Sequence, residues 1–159
     1  MILVFTGARR GTVLSQWKTV GDRLYELGRT RNEIGVMHGG AQGADATFHG
    51  MVVAKMLLRD APWAWLRIYP ALGNPAAFGV THERLRDRIV SLPPATPLDR
   101  NRLMLTEAKR LDPRVRLLAV PSSTTELRRS GTWATVRYAR ELGVPITLVL
   151  PDGSIREER

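Results

Sequence analysis

Three glycines fall within five residues in His38-Gly39-Gly40-Ala41-Gln42-Gly43-Ala44-Asp45, the segment of this sequence best suited to holding an anion. Glycine lets a backbone approach a ligand closely and adopt positive φ. Where such a run joins a strand to a helix, the N–H groups of the first helical turn and the helix dipole favour a phosphate. The run is not a Walker A loop, because no Lys-Ser/Thr pair follows Gly43, and Gly7-Ala8-Arg9 lacks the second glycine of a dinucleotide fingerprint. A plain tight turn before a glycine-capped helix fits the same pattern. Asp45, in the first turn, either complements the helix dipole, accepts hydrogen bonds from ligand hydroxyls such as a ribose diol, or braces the glycine loop. A carboxylate aimed at phosphate would repel it, so the sugar and bracing roles are preferred.

Arg9 and Arg100 are the candidate phosphate partners, since each falls beside the start of an expected helix and arginine's planar fork suits phosphate. Arg100 precedes its helix, an unfavourable end for a cation unless an anion sits nearby. A solvated arginine is the plain alternative in so Arg-rich a chain. His38 is either a switchable contact or a structural strand-end histidine, and the structural role is preferred. Gly131-Thr132 opens another expected helix and is a weak signal by itself. Trp17, Trp63, Trp65 and Trp133 have no regular spacing and are expected in core or rim packing.

Short apolar runs that alternate with amphipathic stretches must position these residues. Strands are expected over 2–6, 34–38, 65–69, 115–120 and 146–150. The first helix, carrying Val13, Trp17, Val20, Leu24 and Leu27 at three- and four-residue spacing, ends near Gly28. Further helices are expected over 44–58, 101–111 and 132–142. Strand–helix alternation implies right-handed crossovers, hence an α/β Rossmann-like three-layer sandwich with a mainly parallel sheet of about five strands. One domain is expected over 1–153, with a polar, frayed tail over 154–159. Residues 71–99, interrupted by Pro75, Pro93, Pro94 and Pro97, are expected to form a long loop or lid. A helix over 81–90 would carry Arg84, Arg86 and Arg88. Ligands of open α/β sheets bind outside the carboxyl ends of the strands, where all the candidate residues would converge.

The 159 residues suit one domain, and 43% hydrophobic with 25% charged residues argues against long disorder. No apolar run approaches the roughly 18 residues of a membrane span, and the apolar start reaches Gly7 too soon for a signal peptide. With no cysteine there is no disulfide framework, thiolate metal site or cysteine nucleophile, and the cytoplasm is the expected compartment. No metal or cofactor is called for. The net charge of +9, carried by arginine except at Lys18, Lys55 and Lys109, attracts nucleotides, nucleic acid or acidic proteins.

Five segments in order, Thr6-Gly7-Ala8-Arg9, the His38–Asp45 run, Tyr69-Pro70-Ala71, Arg100-Asn101-Arg102-Leu103-Met104 and Gly131-Thr132, resemble the SLOG superfamily, in particular its YspA-like branch. The resemblance covers nearly the whole chain. It implies binding of a nucleotide or nucleotide-derived molecule at the glycine-rich rim by Thr6, Gly7, Arg9, Gly39, Gly40, Gly43, Asp45, Arg100, Asn101, Gly131 and Thr132. It also implies a homodimer and a setting in bacteria or their phages, in a conflict system. Relatives include the LOG phosphoribohydrolases, which cut the N-glycosidic bond of nucleoside monophosphates, and DprA, which binds single-stranded DNA.

The hydrolases carry Pro-Gly-Gly-x-Gly-Thr-x-x-Glu, whose carboxylate acts at the ribose. Here Ser122-Ser123 follows Pro121 in place of the glycine pair, and Thr135 stands where that glutamate would. An oxocarbenium-like centre needs a nearby carboxylate. Asp45 or Glu107 would have to supply it, so no catalytic residue is assigned and binding or sensing is preferred to hydrolysis. The third reading is single-stranded nucleic-acid binding through the Arg-rich 84–102 segment, with salt-sensitive affinity and aromatic stacking.

Overall fold

The computed structural model describes residues 1–58, 62–73 and 83–159. Its strands are β1 (Ile2–Gly7), β2 (Ile34–His38), β3 (Trp63–Ile68), β4 (Ile89–Ser91), β5 (Arg116–Val120), β6 (Ile146–Val149) and β7 (Ile155–Glu158). The helices are α1 (Leu14–Thr30), α2 (Ala44–Met56), α3 (Pro97–Leu111) and α4 (Gly131–Glu141), and Glu83–Leu85 make a single 3₁₀ turn. The strands form one sheet in the order β4-β3-β2-β1-β5-β6-β7, parallel except for the last pair. This is the expected Rossmann-like α/β sandwich, widened to seven strands. Among the described residues no helix is long and apolar enough to cross a membrane.

The apolar strands are buried on both faces, as parallel strands between helices must be. Alternate residues of β1 divide between two cores. Leu3 and Phe5 join Val20 and Leu24 of α1 and Phe48 and Val52 of α2. Ile2 and Val4 join Met104 and Ala108 of α3 and Trp133 and Val136 of α4. The Phe5 and Phe48 rings stack at 3.9 Å between centroids, 6° from parallel, which fixes α2 over the end of β1. Trp133 and Trp63 are core residues, while Trp17 and Trp65 pack from the partly buried margin.

Four expectations need correction. First, residues 154–159 are not a frayed tail, because β7 pairs antiparallel with β6. Its acidic residues find partners on distant helices: Glu157 meets Arg23 at 2.6 Å and Glu158 meets Arg140 at 2.8 Å. Second, β4 pairs parallel with β3, and Ala71 bridges Ala95, so the described parts of 71–99 extend the sheet edge. Third, the described part of 81–90 forms no α-helix, only the 3₁₀ turn Glu83–Leu85. Arg88 there donates to the carbonyl of Ala64 at 2.8 Å and to that of Trp63, tying the turn before β4 to β3. Pro75 and the opening of that expected helix, 81–82, lie outside the described residues. Fourth, α3 starts earlier than expected. Thr96 caps it, accepting from the Asp99 amide at 3.3 Å, and Pro97 takes the first position, where a missing N–H costs nothing. Arg100 therefore closes the first turn and Asn101 opens the second.

The chain builds β1 to β4 outward in one direction, then crosses back to place β5 on the other flank of β1. Crossovers diverge between β1 and β5, and the carboxyl ends of these two strands bound the crevice where ligands of such sheets bind.

Candidate functional site

Around this switch point the loops lock onto one another. The Ala8 amide donates to the Val120 carbonyl at 3.0 Å, continuing the β1–β5 ladder, and the Ala8 carbonyl accepts from the Ala44 amide at 3.1 Å. A Cβ on Gly7 would lie 2.3 Å from the Ala44 Cβ, so glycine lets α2 start directly against the end of β1. Gly43 has φ +83°, and a Cβ there would meet the Arg9 carbonyl at 2.2 Å; both the backbone turn and the crossing exclude a side chain.

The glycine run serves the protein itself. A Cβ on Gly39 would lie 1.0 Å from Nη1 of Arg100: the glycine is the arginine's seat. The Gly40 amide donates to Nδ1 of His38 at 3.0 Å, and the Ala41 amide to Oδ2 of Asp45 at 3.0 Å. Gly39, Gly40 and Gly43 do not line the cavity described next, although Ala41 between them does. Asp45 takes the bracing role.

A cavity of about 440 Å³ opens between the carboxyl ends of β1 and β5. Thr6, Gly7, Arg9, Asp45, Arg100, Asn101, Gly131 and Thr132 are among the residues that line it. Eight expected residues from four segments thus converge. Arg10, Ser122, Arg129 and Ser130 also line it and were not among the expected set. Ser130 was detectable as a helix cap. Arg129 carries no signal that separates it from Arg128.

At the α4 N-terminus, Ser130 Oγ accepts from the Trp133 amide at 3.3 Å and the Ser130 carbonyl from the Ala134 amide at 2.9 Å. The amides of Gly131 and Thr132 have no carbonyl to reach within the helix, and both residues line the cavity. The first turn contains no acidic residue to occupy the positive end of the dipole. Asn101 holds this end in place from α3: its Nδ2 donates to Thr135 Oγ1 at 2.7 Å, and that hydroxyl donates to the Gly131 carbonyl at 3.0 Å. Thr135 is therefore a positioning residue.

Arg100 is 8% exposed, its Nη1 3.8 Å from Asp45 Oδ2 and 3.4 Å from the Tyr69 carbonyl. Its Nε is buried and has no hydrogen-bond partner among the described residues. Burial and the nearby Arg9 pull the Arg100 pKa down, against the attraction of Asp45. Asp45, 4% exposed, is pushed up to about 6 by burial, although Arg100, the Ala41 amide, Arg9 and the Gly39 amide all oppose the shift. Arg9, Arg10 and Arg129 form no ion pair among the described residues, in contrast to Arg23, Arg67, Arg114, Arg137, Arg140 and Arg156 elsewhere.

His38 is wholly buried, as its structural role requires. Its Nδ1 accepts from Gly40, so the proton sits on Nε2, 3.1 Å from Nδ1 of His49. Desolvation, and then the proximity of His49 and Arg100, hold its pKa well below the ordinary value. Glu107, a candidate carboxylate for hydrolysis, is elsewhere: it binds Arg67 at 2.5 Å and the Tyr69 hydroxyl at 2.6 Å. Burial and this carboxylate raise the Tyr69 pKa above its usual value. Among the described residues no group of His, Asp and Glu is arranged to hold a metal ion.

A larger groove of about 610 Å³ opens at the amino ends of the strands. Two of its arginines are already satisfied, Arg114 by Asp112 at 2.9 Å and Arg67 by Glu107. That groove offers an anion less than the carboxyl-edge cavity does. Comparison of the chain with family models, curated proteins and solved structures finds no match in any of the three.

Proposed function

We propose that this chain binds a nucleotide or nucleotide-derived small molecule through its phosphate, in the cavity between the carboxyl ends of β1 and β5. The observation that carries this reading is Arg100: a buried guanidinium whose Nε lacks a partner, lining a cavity beside the open N-terminus of α4. Burying a cation is costly unless it is paired and hydrogen-bonded. Its carboxylate neighbour, at 3.8 Å, is too far for a normal hydrogen bond. An anion in the cavity would supply the counter-charge that Asp45, at this distance, supplies in part. The volume of about 440 Å³ falls within the roughly 300–1,000 Å³ of small-molecule sites.

Asp45 is the one carboxylate among the lining residues, and it faces Arg100 and the Ala41 amide. Glycosidic hydrolysis generally uses a pair of carboxylates in separate roles, so binding without turnover is favoured. The nucleic-acid reading loses support too, since Arg88 is committed to main-chain carbonyls and, among the described residues, no aromatic platform lines the cavity.

Thermal unfolding with a panel of nucleotides, each mixture then separated by HPLC, tests the reading. A ligand at 100 times its Kd adds about 2.7 kcal/mol, or roughly 5–10 °C for a domain of this size. Stabilisation without product is expected. Release of free base would replace the reading with hydrolysis. Salt-sensitive oligonucleotide binding with no mononucleotide response would replace it with nucleic-acid binding.

A further inference from the structure

The cavity contains more positive charge than one phosphate matches. Arg9, Arg10, Arg100 and Arg129 line it, against the single carboxylate of Asp45. A phosphate monoester carries about −1.5 to −2 at neutral pH, and a second phosphoryl group adds at least one more charge. The cations also stand in two places. Arg129 belongs with the Gly131 and Thr132 amides at the start of α4. Arg9, its carbonyl packed against Gly43, lines the same cavity as Arg100, and the buried Arg100 Nε has no partner among the described residues. Two like charges in one cavity make a second seat for an anion. Among the described residues no aromatic side chain lines the cavity to stack on a base; the larger apolar groups there are Leu127 and Pro97. Recognition therefore falls mainly on phosphoryl oxygens.

We infer that the cavity selects a diphosphate, with one phosphoryl group at the α4 N-terminus beside Arg129 and the other between Arg9 and Arg100. This rests on the proposed phosphate-binding reading and specifies its ligand class. Isothermal titration at constant ionic strength with inorganic phosphate, pyrophosphate, AMP and ADP tests it. ADP is expected to bind at least tenfold tighter than AMP, and pyrophosphate tighter than phosphate by a similar factor. Arg129→Gln, an exposed position at which folding is checked by circular dichroism, is expected to weaken ADP and pyrophosphate more than AMP and phosphate, bringing the ADP advantage below threefold. AMP and ADP binding within threefold of each other would overturn the inference and leave the phosphate reading intact. Weakening of all four ligands alike by Arg129→Gln would overturn it in favour of unspecific attraction. Absence of binding by all four would overturn both.

Discussion

The guanidinium of Arg100 occupies the space that a side chain on Gly39 would need, with Nη1 1.0 Å and Cζ 2.1 Å from the position of a Cβ. No positive φ is involved, so Gly39→Ala acts purely by displacing the arginine. Overpacking of this kind costs about 1–3 kcal/mol. Arg100→Ala leaves Asp45 buried without its cation, a loss of about 3–5 kcal/mol. In the Arg100→Ala background, Gly39→Ala is expected to add almost nothing, because its obstacle has gone. Urea unfolding of the four proteins of this cycle checks the coupling; additive losses would show that the contact is incidental.

Asp45 makes stability depend on pH in an unusual direction. Its pKa of about 6 in the fold exceeds the 3.8 of the free side chain, so the folded state binds more protons between these values. Stability from this group is therefore full below pH 4 and is lost as pH rises through 6. Asp45→Asn, which mimics the protonated form, is expected to lose this pH dependence, so that its stability relative to the parent rises between pH 4 and 6. The same variant should bind phosphate ligands severalfold tighter, since a repelling charge has gone. Weaker binding would instead assign Asp45 to ligand hydroxyls.

His38 and His49 oppose that trend. Both are held below the ordinary histidine value by burial, so the unfolded chain binds more protons and stability falls as pH drops below about 6.5. His38→Gln is expected to flatten the pH dependence between 6.5 and 5, whatever it does to stability at pH 8. Denaturant midpoints at pH 5, 6.5 and 8 check the slope.

Deleting residues 154–159 removes β7 and exposes the edge of β6, together with the partners of Glu157 and Glu158 on α1 and α4. Lower thermal stability and self-association through the bared edge are expected, measured by thermal unfolding and light scattering. Unchanged thermal stability and scattering would mean that β7 is dispensable.

The layered architecture is legible because β1, β2 and β5 carry apolar runs and the helices carry inward residues at three- and four-residue spacing. β7 is not, because Ile155-Arg156-Glu157-Glu158 contains one apolar residue and its strand is held by arginines more than a hundred positions earlier, at Arg23, and nearer, at Arg140. β4 is hidden for a related reason: three residues among prolines give no period. At the site, the rim position of Arg9, Arg100, Asn101 and Gly131 follows from strand–helix alternation. The use of the glycines does not. A sequence pattern cannot separate a glycine that clears space for a ligand from one that, like Gly39, clears it for the protein's own arginine.

Amide chemical shifts during titration with ADP locate the anion most directly. With the anion at the start of α4, the Gly131 and Thr132 N–H signals move strongly and the Arg100 Nε–H becomes protected, while Gly40 and Ala41, already bonded to His38 and Asp45, scarcely respond. Large shifts at Gly40 and Ala41 with Gly131 and Thr132 unmoved would return the phosphate to the glycine run and contradict this placement.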